Sequence, residues 1–289
     1  MIRIAIPNKG RLHEPTLALF KDAGLPVFGG GNESRQLISK TTDSEIMFIF
    51  ARAADIPLYV EEGTADIGIT GLDLVTERKA DVDCLIDMKY GSSRLVLAVP
   101  ESSEIQRPEE LSGKRVATEF PEITKQYFEF KKIKNVEIVQ VSGACEMTPH
   151  IGVAEAIVDI TSSGTTMMIN KLRPMDIVFD SKVYLIANKK SLKTQEKIRD
   201  VETALESVLL AKTKRYIMMN VPADVLHDVH KILPGINGPT VMEVQSSTDE
   251  KLYAVHAVVD ADSIFTVIRK LKILGARGIL VLPVERLIP

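Results

Sequence analysis

Tryptophan is absent from the 289 residues, and aromatic side chains make up only 5%. That disfavours the stacking platforms that hold carbohydrate or splayed nucleic-acid bases. Cysteine is nearly as scarce. Cys84 and Cys145 are the only two, too few for a disulfide framework, so a cytoplasmic location is expected. Neither sign of charge is in excess, with 36 Lys and Arg against 39 Asp and Glu. A formal charge of −3 points to no nucleic-acid partner and no membrane surface. No apolar run approaches the roughly 18 residues that a membrane helix needs. Residues 1–7 are too short and too soon punctuated to be a signal peptide. There is no Walker loop, no Gly-x-Gly-x-x-Gly and no serine in a nucleophile elbow. His227 and His230 lie three apart on a helix pattern without a third zinc ligand near them in sequence. Cys145 has no neighbouring base and reads as a small buried thiol.

What is present is an ordinary globular composition, 45% hydrophobic and 26% charged. At about 150 residues per domain the length allows roughly two domains. Up to about residue 213, β-branched runs alternate with amphipathic stretches. Strands are expected at 2–6, 45–50, 67–70, 85–88, 95–99, 115–118, 136–141, 156–160 and 183–187. Helices are expected from Glu14-Pro15 to Gly24, from Asp55 to Gly63, over 73–78 and over 191–213. That alternation argues an α/β fold with a largely parallel sheet. The turn-rich passage 108–114 marks a possible entry to a second lobe. After residue 213 the order becomes strand 216–220, helix 223–233, strands 240–245 and 252–259 around a turn at 246–250, helix 262–274 and strand 278–282. This is the β-α-β-β-α-β order of a ferredoxin-like domain.

The sharpest local feature follows the apolar strand that ends near Asp159. Thr161, Ser162, Ser163, Gly164, Thr165 and Thr166 come next, then an apolar segment suited to a helix, 167–172. Glycine lets backbone approach an anion, hydroxyls donate to it, and a helix N-terminus favours negative charge. Open α/β sheets bind ligands at such strand ends. Asp159 is placed there to meet sugar hydroxyls or Mg²⁺. The plain alternative is a strand-to-helix turn with one hydroxyl as N-cap. Two further strand ends carry candidate groups. Gly68-Ile69-Thr70-Gly71-Leu72-Asp73 reads as a glycine turn with a carboxylate, or simply as a tight turn whose Asp73 favours the helix dipole. Pro7-Asn8-Lys9-Gly10-Arg11 reads as a phosphate-facing basic loop, or as a solvated one.

Taken together these segments resemble the long form of ATP phosphoribosyltransferase, the family that opens histidine biosynthesis. The likeness rests on Pro-Asn-Lys-Gly-Arg-Leu at 7–12, Gly-Ile-Thr-Gly-Leu-Asp-Leu-Val at 68–75 and Gly-Val-Ala-Glu-Ala-Ile-Val-Asp at 152–159 running into Thr-Ser-Ser-Gly-Thr-Thr at 161–166. It continues through Tyr-Ile-Met-Met-Asn at 216–220, Pro-Gly-Ile-Asn-Gly-Pro-Thr at 234–240 and Gly-Ile-Leu-Val-Leu-Pro at 278–283. The resemblance implies transfer of the phosphoribosyl group of phosphoribosyl pyrophosphate to N1 of ATP, with Mg²⁺ and release of pyrophosphate. It implies a two-lobed catalytic unit like the type II periplasmic binding proteins, with lobe I at 1–90 and 183–212 and lobe II at 91–182. It also implies a regulatory domain at 213–289 that binds histidine as feedback inhibitor, and a homo-oligomer of dimers and hexamers. By the same carry-over, residues 161–166 hold the 5-phosphate, with Asp159 and Glu146 near the ribose. Lys9, Arg11, Arg52, Asp73 and Leu74 line the ATP side, and Asp159, Glu146 and Lys9 carry catalysis. Asn220 and Thr240 contact the effector histidine. No residue is assigned to the Mg²⁺ ion.

Two other readings compete. A two-lobed binding protein without chemistry fits poorly with the absent export signal and with Asp159 beside the hydroxyl loop. A pure amino-acid sensor built on the ferredoxin-like domain leaves the first 212 residues unexplained.

Overall fold

Five of the six residues of the first strand, β1 (Ile2–Pro7), are buried, as expected of a strand covered on both faces. In this computed structural model residues 1–28, 37–161, 165–233, 235–236, 238–245 and 250–288 are described, with backbone alone at Thr165 and Thr166. Residues 162–164 of the hydroxyl-rich loop and 246–249 of the expected turn lie outside the described residues. The chain divides into two units, residues 1–21 with 25–202 and residues 22–24 with 203–289. The second unit therefore begins ahead of residue 213, within a long helix.

After β1 come α1 (His13–Asp22), β2 (Ile38–Lys40), β3 (Ile46–Ala51), α2 (Ile56–Glu61), β4 (Ile67–Gly71), α3 (Leu72–Arg78) and β5 (Asp83–Asp87). Next are β6 (Ser93–Pro100), β7 (Arg115–Thr118), α4 (Pro121–Phe130), β8 (Glu137–Gln140), β9 (Ala156–Thr161), α5 (Thr165–Ile169), β10 (Leu172–Ser181), β11 (Val183–Ala187), α6 (Lys189–Thr194) and α7 (Lys197–Lys212). They build two sheets. The first, in order β2-β3-β1-β4-β11-β5, is the sheet of lobe I, and the second, β10-β6-β9-β7-β8, that of lobe II. The chain passes from lobe I to lobe II between β5 and β6. It returns through Lys182 alone, between β10 and β11.

Both sheets are mixed, which corrects the expectation of a largely parallel one. Among the described residues only β1 with β3, β1 with β4, β7 with β8 and β7 with β9 run parallel. Hydrophobic periodicity marks a strand but carries no direction, and the return crossing lays β11 antiparallel between β4 and β5. The segment 167–172 is a second correction. Helix α5 stops at Ile169, Lys171 turns left-handed at φ 51°, and β10 starts at Leu172. That strand sits at a sheet edge and carries Pro174 beside a register shift. Proline lacks a ladder donor and is tolerated at edges and bulges.

Packing explains the local sequence. In lobe I, Phe20 of α1 meets Phe48 of β3 edge-on, ring centroids 4.8 Å apart. Gly68 in β4 admits α2, since a Cβ there would stand 2.5 Å from Ile56 Cγ2. In lobe II, Leu95, Leu97, Val116 and Val158 of the sheet pack against Ile123, Tyr127 and Phe128 of α4. The opposite face packs Val96, Ile157 and Cys145 together with Met167.

The second unit continues with β12 (Lys214–Pro222), α8 (Leu226–Ile232), β13 (Thr240–Glu243), β14 (Leu252–Asp260), α9 (Ile264–Ile273) and β15 (Arg277–Pro283). Among the described residues all its strand pairs are antiparallel, in order β13-β14-β12-β15. One sheet face, with Ile217, Val221 and Val255, buries Val229 and Leu271 of the two helices. This is the ferredoxin-like arrangement expected from the element order.

Candidate active site

Lobe II gathers carboxylates at strand ends. Parallel pairing of β7 with β9 sets Thr118 beside Val158. The residues that follow are Glu119, just past the end of β7, and Asp159, still within β9. A 3-10 turn at Cys145–Met147 brings in Glu146. Burial pushes the Asp159 carboxyl up to about 6, and the charges of Glu146 and Glu119 push the same way. The Ile160 amide, donating to Asp159 Oδ1 at 2.7 Å, opposes the rise. The same three carboxylates surround Cys145, whose thiol is raised chiefly by burial and donates to the Ala117 carbonyl at 3.3 Å. A thiol so held is no nucleophile. Glu119 escaped sequence reasoning because only strand pairing brings it to Asp159.

Val96, in register with Asp159, lines a cavity of about 1200 Å³, together with Thr161, Ser93, Ser181 and Lys182. Asp159 itself is not among the lining residues. The cavity thus adjoins the carboxylate group and reaches both crossings between the lobes. Of the hydroxyl loop, Thr161 is the last residue of β9. Ser162, Ser163 and Gly164 lie outside the described residues, and Thr165 and Thr166 open α5.

Lobe I contributes cations. Pro7 and Ala51 are register partners in parallel strands, so the following loops bring exposed Lys9 and Arg52 to one sheet end. The Asn8 amide donates to the Ala51 carbonyl at 2.8 Å. Gly10 holds φ +80°, the left-handed region that favours glycine. His13 Nδ1 lies 2.7 Å from the Pro7 carbonyl and donates to it. Among the described residues, Asn8 Oδ1 on this loop and His13 Nε2 at the start of α1 are buried without a hydrogen-bond partner, Nε2 standing 3.8 Å from Glu14 Oε1. Such orphaned atoms ask for an explanation, and a ligand against the loop is one.

The remaining candidates hold the lobe crossings. Arg11 donates from its guanidinium to Ser93 Oγ at 2.7 Å and to the Ser92 carbonyl at 3.2 Å. Asp73 is buried, and its amide donates to Ser181 Oγ at 3.1 Å. Burial raises the Asp73 carboxyl, while the Ser181 hydroxyl, the Leu74 amide and the Arg11 charge all draw it down. Leu74 packs against the hydrophobic core of lobe II. Of the five residues assigned to the ATP side, then, Lys9 and Arg52 face solvent at adjacent strand ends. Arg11, Asp73 and Leu74 make contacts at the junction of the lobes.

In the second unit Thr240 pairs in register with His256. Both line a cavity of about 300 Å³, beside Tyr216, whose hydroxyl lies 2.8 Å from His256 Nδ1. Asn220 pairs with Ala254 further along the sheet and is not among the lining residues. For a metal, Asp159, Glu146 and Glu119 offer hard oxygen donors of the kind Mg²⁺ prefers. Among the described residues no three His, Cys, Asp or Glu are placed to hold an ion by themselves. One or two of these carboxylates would hold such an ion only together with oxygen donors from a ligand.

Comparison with known proteins identifies the family. Residues 52–207 match the family HisG, ATP phosphoribosyltransferase, and residues 211–286 match the HisG C-terminal domain. The ATP phosphoribosyltransferase of Methanosarcina barkeri is 64% identical over the full length of both chains, and that of Methanocaldococcus jannaschii 50%. Among solved structures, a chain of the ATP phosphoribosyl transferase (HisG:HisZ) complex from Thermotoga maritima is 29% identical with a TM-score of 0.60. The match covers 71% of this chain and 98% of that one. The chain therefore belongs to the ATP phosphoribosyltransferase family, in the long form that carries the C-terminal domain, and is a transferase of histidine biosynthesis.

Proposed function

We propose that the enzyme transfers the 5-phosphoribosyl group of phosphoribosyl pyrophosphate to N1 of ATP, in the cytoplasm, and that histidine inhibits it through the C-terminal domain. The observation that carries the reading is Asp159, a carboxyl kept partly buried beside Glu146 and Glu119 at electrostatic cost to the fold. Such costs concentrate at functional sites. In this reading the hydroxyl loop 161–166 seats the 5-phosphate, and Asp159 and Glu146 meet the ribose. Displacement at the anomeric carbon passes through a cation-like state, so a nearby carboxylate stabilises it. Lys9 and Arg52 draw the charge of the triphosphate and the departing pyrophosphate. Mg²⁺ supplies further neutralisation of those phosphates when bound. Adenine N1 is itself nucleophilic, and positioning two polyanions is the larger share of the task. Thr240 and its cavity support a small polar effector, and a homo-oligomer couples that site to the others.

The test is direct. The protein, ATP, phosphoribosyl pyrophosphate and Mg²⁺ are mixed, pyrophosphate release is followed, and the product is located by NMR. One pyrophosphate per N1-substituted adenine nucleotide is expected, with the rate falling as free histidine is added. Substitution at any other adenine position, or a rate indifferent to histidine, removes the corresponding half of the proposal.

A further inference from the structure

Lobe I and lobe II meet where α3 ends and α4 begins. Glu77, in the last turn of α3, accepts the Glu122 amide at Oε1, 2.9 Å, and the Ile123 amide at Oε2, 3.0 Å. Helix α4 has ten residues and starts at Pro121, and its own N-cap, Phe120, provides no side-chain bond. The first amides of a helix have no partner within it and carry partial positive charge. Here a carboxylate from the other lobe satisfies two of them. Lys79, just past α3, adds an ion pair to Glu122 Oε1 at 2.6 Å. Leu74 of α3 packs on the core of lobe II between α4 and its sheet. Helix α4 starts two residues after Glu119, the carboxylate that bears on Asp159.

We infer that Glu77 is a positioning residue that latches the lobes together through the N-terminus of α4. By holding α4 it holds Glu119 and the Asp159 group in a fixed relation to the cation loops of lobe I. The assignment rests on reading those two groups as one active site. Both substrates are large anions and a reaction between them needs both lobes at once, so only the latched arrangement is competent. Binding to a competent state populated in a fraction of molecules weakens apparent affinity by that fraction. Loss of the latch therefore raises KM and spares kcat, because saturating substrates restore the latched state.

The experiment uses the full chain. Nitroxides at Glu62→Cys in lobe I and Lys132→Cys in lobe II, in a Cys84→Ser background diluted with unlabelled protein, report the interlobe distance by electron-electron resonance. With Glu77→Ala the distance distribution broadens, KM for both substrates rises about tenfold, the equivalent of one helix cap, and kcat stays within about twofold. Glu77→Gln keeps one acceptor and falls between wild type and Glu77→Ala, which also covers poor folding of the alanine variant. Lys79→Ala leaves the two amide bonds in place and leaves KM within about twofold. An unchanged distance distribution in Glu77→Ala overturns the latch, whatever the kinetics. A broadened distribution with unchanged KM leaves a latch but refutes its role in positioning, and with it the reading of the two groups as one site.

Discussion

Replacing Asp159 by Asn is expected to stabilise the ligand-free protein while disabling it. Burial raises this carboxyl from an ordinary 3.8 to about 6. Between those values the folded protein binds a proton that the unfolded chain has released. The sign follows: the group's unfavourable contribution is absent below about pH 4, grows as pH rises, and is complete above about pH 6. A rise of that size corresponds to about 3 kcal/mol at full burial. Asp159 is only half-buried, and solvent screening discounts the figure to about 1–2 kcal/mol. Asn removes the charge and keeps an oxygen for the Ile160 amide. At pH 8 the variant should melt about 2–8 °C above wild type, and near pH 4 the two should coincide. Turnover should fall on the order of 10²–10³-fold if the carboxylate acts on the transition state, and wild-type kcat/KM should decline as pH drops through about 6. Calorimetry at both pH values and initial rates of pyrophosphate release give the answer. Equal melting temperatures at pH 8 would refute the electrostatic account, and turnover within threefold of wild type would remove Asp159 from the site.

Glu119→Gln removes one of the charges that raise Asp159, so the acidic limb of the kcat/KM profile should move to lower pH; an unmoved limb separates Glu119 from the site. Cys84 is exposed and Cys145 buried, and Cys145 is further held as the thiol by the surrounding carboxylates. Ellman's reagent at pH 8 should therefore find one thiol per native chain and two after denaturation, and two in the native protein would contradict the packing of lobe II. Thr240→Val deletes one hydroxyl from the cavity shared with His256 and Tyr216 at nearly constant volume. The histidine inhibition curve should shift to higher concentration by about 2- to 13-fold, the loss of one neutral hydrogen bond, with assembly unchanged by gel filtration; an unshifted curve moves the effector elsewhere.

What could be read from the sequence and what could not divide along one physical line, the distance over which the signal acts. Strands β1 and β9 announce themselves because sheets covered on both faces favour near-continuous apolar runs, and Ile2 to Ile6, interrupted by Arg3, and Ala156 to Val158 supply them. Asp159 stands out for the same reason, a lone acid at the end of such a run followed by hydroxyls. Strand β10 does not stand out, because Pro174 and two register shifts break its alternation at the sheet edge. The direction of β11 was equally hidden, since it is decided by the crossing at Lys182 rather than by any pattern within Val183–Ala187. The site follows the same rule. Lys9 and Arg52 share a sheet end only because β1 and β3 pair in parallel, and Glu119 reaches Asp159 only because β7 pairs with β9. Arg11 and Asp73, which the resemblance sets on the ATP side and residue type alone leaves as turn and loop residues, bond Ser93 and Ser181 at the crossings, through the Arg11 guanidinium and the Asp73 backbone amide. A cation or an acid after a strand is a local signal that a ligand and a lobe junction satisfy equally well. The pairing of strands from the two halves of lobe I, and of α3 with α4 across the lobes, is what makes the junction contacts visible. Residues that act by holding the lobes in relation, Glu77 above all, thus become visible only once non-local contacts are known. Their substitution is expected to show in KM and in interlobe distance before it shows in the chemistry.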